Sequence, residues 1–176
     1  MQKNKVLITG SGGLSKALAI EYIDHYVYCT SRKNGYNLND VSEWGEQFLD
    51  YDILFNCAYN DNDQVKILGF FSEKWKNIRK KSIISIGSIV SDYPRTEIEK
   101  ERDFFEYRYN KQSLQKAFSD IARSCLCDIR LINLGPMNTA MTDHLDISKL
   151  DVNECAKIIK NFVEVDKRIK RIDIWE

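Results

Sequence analysis

Tyr107 and Lys111 stand four residues apart in the run Tyr107-Arg108-Tyr109-Asn110-Lys111. Side chains four apart lie on one face of a helix, so phenol and ammonium converge. A tyrosine hydroxyl titrates near 10, which suits it poorly to acid–base work at neutral pH. A cation one turn away stabilises the phenolate and draws that value down. Upstream, Ser82-Ile83-Ile84-Ser85-Ile86-Gly87-Ser88 ends a strand-like run on a hydroxyl. Ser88 is expected to donate a hydrogen bond to an oxygen that gathers negative charge. Proton transfer at an oxygen is the chemistry these three side chains suit.

Two further clusters suit a nucleotide. Thr9-Gly10-Ser11-Gly12-Gly13-Leu14-Ser15 joins a strand-like run to a helical one. Its glycines allow a tight turn and close approach to a pyrophosphate, toward which the next helix points its free N–H groups. At the end of the second strand-like run, Cys29-Thr30-Ser31-Arg32-Lys33 carries two cations and no acid. NAD sites usually place a carboxylate there for the ribose hydroxyls. Arginine instead matches a phosphate with its planar fork. Arg32, with Ser31, is therefore expected on a 2′-phosphate, so that NADP(H) is preferred over NAD(H).

Two hydrophobic periods alternate along the chain and must position these groups. β-Rich runs fall at 5–9, 26–31, 52–57, 82–86, 128–134 and 171–175. Helical patterns fall at 14–24, 41–49, 64–80, 104–124 and 153–163, the last opened by an expected capping box of Asp151 and Glu154. Ile53-Leu54-Phe55 and Ile83-Ile84 are continuously apolar, as in strands covered on both faces. The alternation predicts an α/β fold: a single doubly wound Rossmann-type domain over 1–176, with a mostly parallel sheet of six to seven strands and ligands above their carboxyl ends.

Composition narrows the partners. The 26 basic and 26 acidic residues cancel, leaving no field for nucleic acid or an anionic membrane. No apolar run nears the ~20 residues of a membrane span, and none at the N-terminus forms a signal-peptide core. Five cysteines, an odd number, fit reduced thiols in a cytoplasmic compartment. Cys125-x-Cys127 lacks zinc-site spacing, and His25 and His144 stand apart, so no metal is expected.

In this order the motifs resemble those of the short-chain dehydrogenase/reductase family. Thr9, Gly10 and Gly13 match its first turn. Asn56-Cys57-Ala58-Tyr59 resembles the Asn-Asn-Ala-Gly that ends its fourth strand, and Ser88 follows the counterpart of its fifth. Tyr107 and Lys111 match its Tyr-x-x-x-Lys helix. Leu134-Gly135-Pro136-Met137-Asn138-Thr139 resembles its Pro-Gly-x-x-x-Thr segment, and Asn37-Leu38 its acid-Leu step beside the adenine. The resemblance implies hydride transfer between a nicotinamide and a small-molecule carbonyl or secondary alcohol, with Tyr107 as acid–base group. It further implies that Lys111 binds the nicotinamide ribose, that Thr139 contacts the carboxamide, and that Asn56, Cys57, Ala58, Gly135 and Met137 line the cofactor site. A homodimer or homotetramer would pair the helices carrying Ile67, Leu68, Phe70, Phe71 and Trp75, then Phe104, Phe105, Phe118 and Ile121.

The departures leave alternatives. Ser15 stands where the family's last glycine would be, and the stretch between Asn56 and Ser88 is short. The family's catalytic asparagine has no counterpart; Gln64, Lys66, Asn60 and Asn62 lie near its place. A catalytically impaired NADP-binding sensor or structural module is one other reading. A sugar-nucleotide ketoreductase or epimerase, suggested by the Gly10–Gly13 spacing, is another, although little chain follows Met141. Tyr109 and Lys116 offer a second spacing, two helical turns, like that of the enoyl-reductase branch. The charged run 97–103 reads as a solvated loop or the border of a substrate opening.

Overall fold

The six β-rich runs become six strands that all pair in parallel, in the order β2-β1-β3-β4-β5-β6. In the computed structural model, which describes residues 3–59, 62–92, 102–144, 146–165 and 169–175, they are β1 (Lys5–Thr9), β2 (Tyr26–Thr30), β3 (Ile53–Asn56), β4 (Ser82–Ser88), β5 (Asp128–Leu134) and β6 (Arg171–Ile174). Helices α1 (Gly13–Glu21), α2 (Val41–Trp44), α3 (Asp63–Trp75), α4 (Arg102–Ile121) and α5 (Val152–Val165) connect them. The acidic run at 97–101 and Asn60 lie outside the described residues.

Strand side chains alternate between two apolar layers. Leu7, Leu54, Ile83 and Leu131 pack with Phe71 and Trp75 of α3 and Leu114 of α4. Val6, Ile8, Phe55, Ile84 and Ile132 pack with Leu14 and Leu18 of α1 and Ile159 of α5. Helices therefore cover both faces, as the continuous apolar runs require. From β1 the chain passes to β2 on one side, then crosses to β3 on the other. That reversal opens a crevice above the ends of β1 and β3.

Several element ends differ from the sequence pattern. The helix expected over 41–49 stops at Trp44 and continues as a 3₁₀ turn, Gly45–Phe48. Phe70 occupies the space there: a Cβ on Gly45 would lie 2.4 Å from Phe70 Cε1. α3 ends at Trp75, whose indole N–H is held by the Leu49 carbonyl at 3.2 Å. Of the expected box at α5, the Asp151 carboxylate accepts the N–H groups of Asn153 and Glu154, each at 2.9 Å.

The strand ending in Asn56 is the third of this chain, whereas the resemblance aligned it with a fourth. The connection between β2 and β3 holds only α2 and 3₁₀ turns, so among the described residues β2 pairs with β1 alone, at the edge of the sheet, and Tyr26 is 62% exposed. Shortness thus removes an outer strand and leaves the crevice intact. Ile67, Leu68, Phe71, Trp75 and Phe118, on the helices expected to pair in an oligomer, are core residues. Phe105 and Tyr109 remain exposed on α4.

The apolar reading of β5 misses a buried ion cluster. Arg130 is fully buried; its Nε donates to Asp128 Oδ2 at 2.8 Å and its Nη1 to the Phe162 carbonyl. Lys170 reaches Asp128 Oδ1 at 2.6 Å. The cluster ties β5 to α5 and to the chain entering β6.

Candidate active site

Gly10 leaves β1 with φ +99°, in the left-handed region that favours glycine, and its N–H bonds the Thr30 carbonyl at 2.7 Å. A Cβ there would sit 3.3 Å from Ala58 Cα. Thr9 Oγ1 accepts the N–H groups of Cys57 (3.1 Å) and Ala58 (3.2 Å), drawing the ends of β1 and β3 together. Ser15, in a glycine's expected place, donates its hydroxyl to the Thr9 carbonyl at 3.3 Å. Gly12 caps α1 with no side-chain hydrogen bond, so the first-turn N–H groups stay available. A Cβ on Gly13 would lie 3.1 Å from Thr139 Cγ2. Glycine therefore lets the loop after β5 close against the turn, and a cavity of about 400 Å³ lies between them.

One end of the cavity is built by a residue the sequence reading passed over. Asn34 Oδ1 accepts from Ser31 N (2.6 Å) and Ser31 Oγ (3.0 Å), and Asn34 Nδ2 donates to the Cys29 carbonyl (2.6 Å). These bonds fold the 3₁₀ turn Arg32–Asn34, which sets exposed Arg32 and Lys33 at the cavity rim. The Ser31 hydroxyl is thereby engaged with Asn34. Leu38 joins the wall. Asn37 does not: its Oδ1 accepts the Asn39 N–H at 3.3 Å and its carbonyl the Trp44 indole at 2.9 Å. The local signal was Asn34-Gly35, since Gly35 ends the turn at φ +91°.

Tyr107 and Lys111 reach the opposite end from α4, beside Ile86 and Gly87 of β4 and Cys57, Ala58 and Tyr59 after β3. Lys111 Nζ lies 5.5 Å from the ring centroids of both Tyr59 and Tyr107. The two rings meet edge to face, 4.8 Å apart. Lys111 Nζ donates to Gln64 Oε1 (2.7 Å) and to the Ile86 carbonyl (2.9 Å). The Ser88 hydroxyl donates to the Leu134 carbonyl at 3.3 Å and lies against the Tyr107 phenol rather than in the cavity wall. Leu14, Gly135, Met137 and Thr139 line the remaining wall.

Electrostatics at this end differ from the expectation. Burial pushes the Tyr107 phenol up to about 12, with its Ser88 hydrogen bond pulling the other way and Tyr59 adding to the rise. Burial also lowers Lys111 to about 7, so desolvation outweighs the draw of the cation on the phenol. Cys57, beside them, is likewise pushed up to about 12.

Asn56 is buried and turned away, its Nδ2 donating to the Gln64 carbonyl at 2.8 Å. Of the positions near the missing asparagine, Gln64 meets Lys111, while exposed Lys66 reaches the Asn39 carbonyl and Asn62 caps α3. The alternative pair separates: Tyr109 is 60% exposed and Lys116 bonds Asp120 at 3.1 Å on the surface. Among the described residues no group of three or more His, Cys, Asp or Glu is placed to hold a metal, all five cysteines are free, and no helix is long and apolar enough to cross a membrane.

No protein-family model and no curated protein matches the chain. Solved structures do match in fold. A short-chain dehydrogenase from Burkholderia cenocepacia in complex with NADP superposes with a TM-score of 0.78 at 16% identity, covering 99% of this chain and 89% of that one. A short-chain dehydrogenase from Leptospira borgpetersenii with bound NAD+ gives 0.73 at 17%, covering 99% and 92%. An alcohol dehydrogenase from the archaeon Thermococcus sibiricus, complexed with 5-hydroxy-NADP, gives 0.73 at 12%, covering 98% and 96%. The chain therefore has the Rossmann-type fold of the short-chain dehydrogenases/reductases.

Proposed function

We propose that this chain, folded as the short-chain dehydrogenases are, is an NADP(H)-dependent oxidoreductase acting on a small-molecule carbonyl or secondary alcohol. The observation that carries this reading is the joining, in one cavity, of an uncapped glycine turn with Tyr107 and Lys111, Ser88 lying beside the phenol. A dinucleotide fits the residues present. The Gly10–Gly13 turn and the first N–H groups of α1 suit its pyrophosphate, and a Cβ at Gly10 or Gly13 would come to 3.1 Å from a neighbouring side chain. Arg32 and Lys33 suit a 2′-phosphate, with Ser31 shaping their turn and Leu38 walling the base. Ala58, Cys57, Gly135, Met137, Thr139 and Lys111 suit the nicotinamide half.

Bound there, the nicotinamide supplies or takes up a hydride. Tyr107 gives its phenolic proton to the substrate oxygen in the reducing direction and recovers it in the other. Ser88 lies beside that phenol, and its hydroxyl donates toward the same oxygen once it turns from the Leu134 carbonyl that it bonds here. Lys111 offers positive charge behind the phenol as its proton leaves. A panel of aldehydes and ketones, followed by loss of reduced-nicotinamide absorbance, tests the reading. Turnover of none, with intact nucleotide binding, favours a binding module instead. Tyr59 is the observation behind that second reading, because its ring crowds Tyr107 where the resembling family has glycine.

Arg32→Ala should weaken NADPH binding roughly 10-fold or more, the worth of one charge-assisted hydrogen bond, and leave NADH binding nearly unchanged. Equal loss for both nucleotides, measured by fluorescence titration, removes the 2′-phosphate assignment. We assign the protein to the cytoplasm from its unpaired cysteines. A homodimer formed through Phe105 and Tyr109 of α4 completes this reading, and a monomeric mass by light scattering at micromolar concentration contradicts it.

A further inference from the structure

The Gln64 amide lies buried beneath the reaction end of the cavity. Its Nε2 donates to two backbone carbonyls, Asn56 at 2.7 Å and Ile86 at 2.9 Å, and its Oε1 accepts from Lys111 Nζ at 2.7 Å. This orientation is fixed. A flipped amide would set oxygen against two carbonyl oxygens and its NH₂ against another donor. Asn56 Nδ2 returns a bond to the Gln64 carbonyl at 2.8 Å, which clamps the start of α3 onto β3. Gln64 thus links the ends of β3 and β4 to the side chain that α4 sends between them.

Lys111 Nζ consequently meets two immobile acceptors, Gln64 Oε1 and the Ile86 carbonyl at 2.9 Å. An ammonium carries three N–H groups; the neutral amine carries two and a lone pair. With two vertices on fixed acceptors, both forms keep both bonds. They differ at the third vertex alone, and Lys111 itself lines the cavity.

We propose that Gln64 is a positioning residue that seats Lys111 to gain or lose one proton at its remaining vertex while both anchoring bonds persist. The use of that proton in turnover rests on the oxidoreductase reading; the seating does not. Burial holds Lys111 down to about 7, where both forms are populated at neutral pH. The titratable groups facing it are Cys57 at the end of β3, Tyr59 in the following loop and Tyr107 on its own helix. Cys57 and Tyr107 are both held up near 12 and carry no charge at neutrality. α3 presents the uncharged Gln64 and β4 a carbonyl. Without Gln64 Oε1, the charged form loses one of its two anchoring acceptors and keeps the Ile86 carbonyl.

The test is a pH titration of the full chain with ¹³Cε-labelled lysine by NMR, without nucleotide or substrate, Lys111 being assigned by its loss in Lys111→Arg. Lys111 should titrate near 7 in the parent. Gln64→Glu should raise the midpoint by about one unit or more, because an opposite charge at contact favours the ammonium. Gln64→Met should lower it, because the charged form loses a hydrogen bond while the volume is kept. Circular dichroism monitors folding, and if Gln64→Glu does not fold, Gln64→Met decides alone. A parent midpoint near the ordinary lysine value of about 10.4, or a midpoint unmoved in the folded variants, overturns the proposal. Nucleotide binding does not enter this readout, so its failure and that of the oxidoreductase reading are told apart.

Discussion

Tyr107→Phe should lower turnover of a carbonyl substrate by about 10²–10⁴-fold, the range for loss of a positioned general acid, while NADPH binding is retained. The selectivity follows from the packing. The ring's edge-to-face contact with Tyr59 at 4.8 Å and its place 5.5 Å from Lys111 Nζ do not depend on the hydroxyl. What disappears is the one phenolic proton beside Ser88, so the cavity keeps its shape and loses its acid. Single-turnover oxidation of bound NADPH, compared between parent and variant, isolates this step from product release. A variant as fast as the parent would move the proton donor elsewhere, and Tyr59 would be the phenol to replace next.

Asp128→Ala should destabilise the fold by roughly 3–5 kcal/mol, since removing one partner of a buried pair strands the other's charge. Arg130 is fully buried, and the Asp128 carboxylate is its paired anion, shared with Lys170. Its Nη1 keeps the Phe162 carbonyl in the variant, but its Nε loses the carboxylate it bonds. Replacing both residues, Asp128→Ala with Arg130→Met, should recover much of the loss, because an apolar pair in place of a buried ion pair is often neutral or stabilising. Urea denaturation of the three proteins measures the cycle. A single-variant loss below about 1 kcal/mol, the scale of exposed ion pairs, would mean that water reaches Arg130.

The architecture was legible because its signals are local and repetitive. Apolar triplets such as Ile53-Leu54-Phe55 suit short strands covered on both faces, and the glycine turn marks where the first strand ends. The six β-rich runs match the six strands, but which strand of the resembling family the Asn56 strand answers to was less legible, because that depends on how little chain lies between β2 and β3. Within the site, positions set by helical spacing came through, so Tyr107 and Lys111 do share a face and a cavity. Positions set by side-chain competition did not. Asn56 and Asn37 satisfy neighbouring backbone groups instead of facing the cavity, and Asn34, which the sequence reading passed over, shapes the rim beneath Arg32. The phenol's direction of shift was also missed, since charge proximity follows from spacing whereas desolvation depends on everything packed around the group. Arg130 shows the same limit from the other side: a charged residue in an apolar strand says nothing of the carboxylate two positions back until the strand is covered by α5.

A fluorescence titration of the purified chain with NADPH and with NADH tests the central claim most directly. Saturable binding of NADPH, at least about 10-fold tighter than NADH as one charge-assisted contact warrants, is the expected result. If neither nucleotide binds, the glycine turn with Ser15 does not form a pyrophosphate site, and the assignment of Tyr107 and Lys111 to hydride-transfer chemistry is contradicted with it.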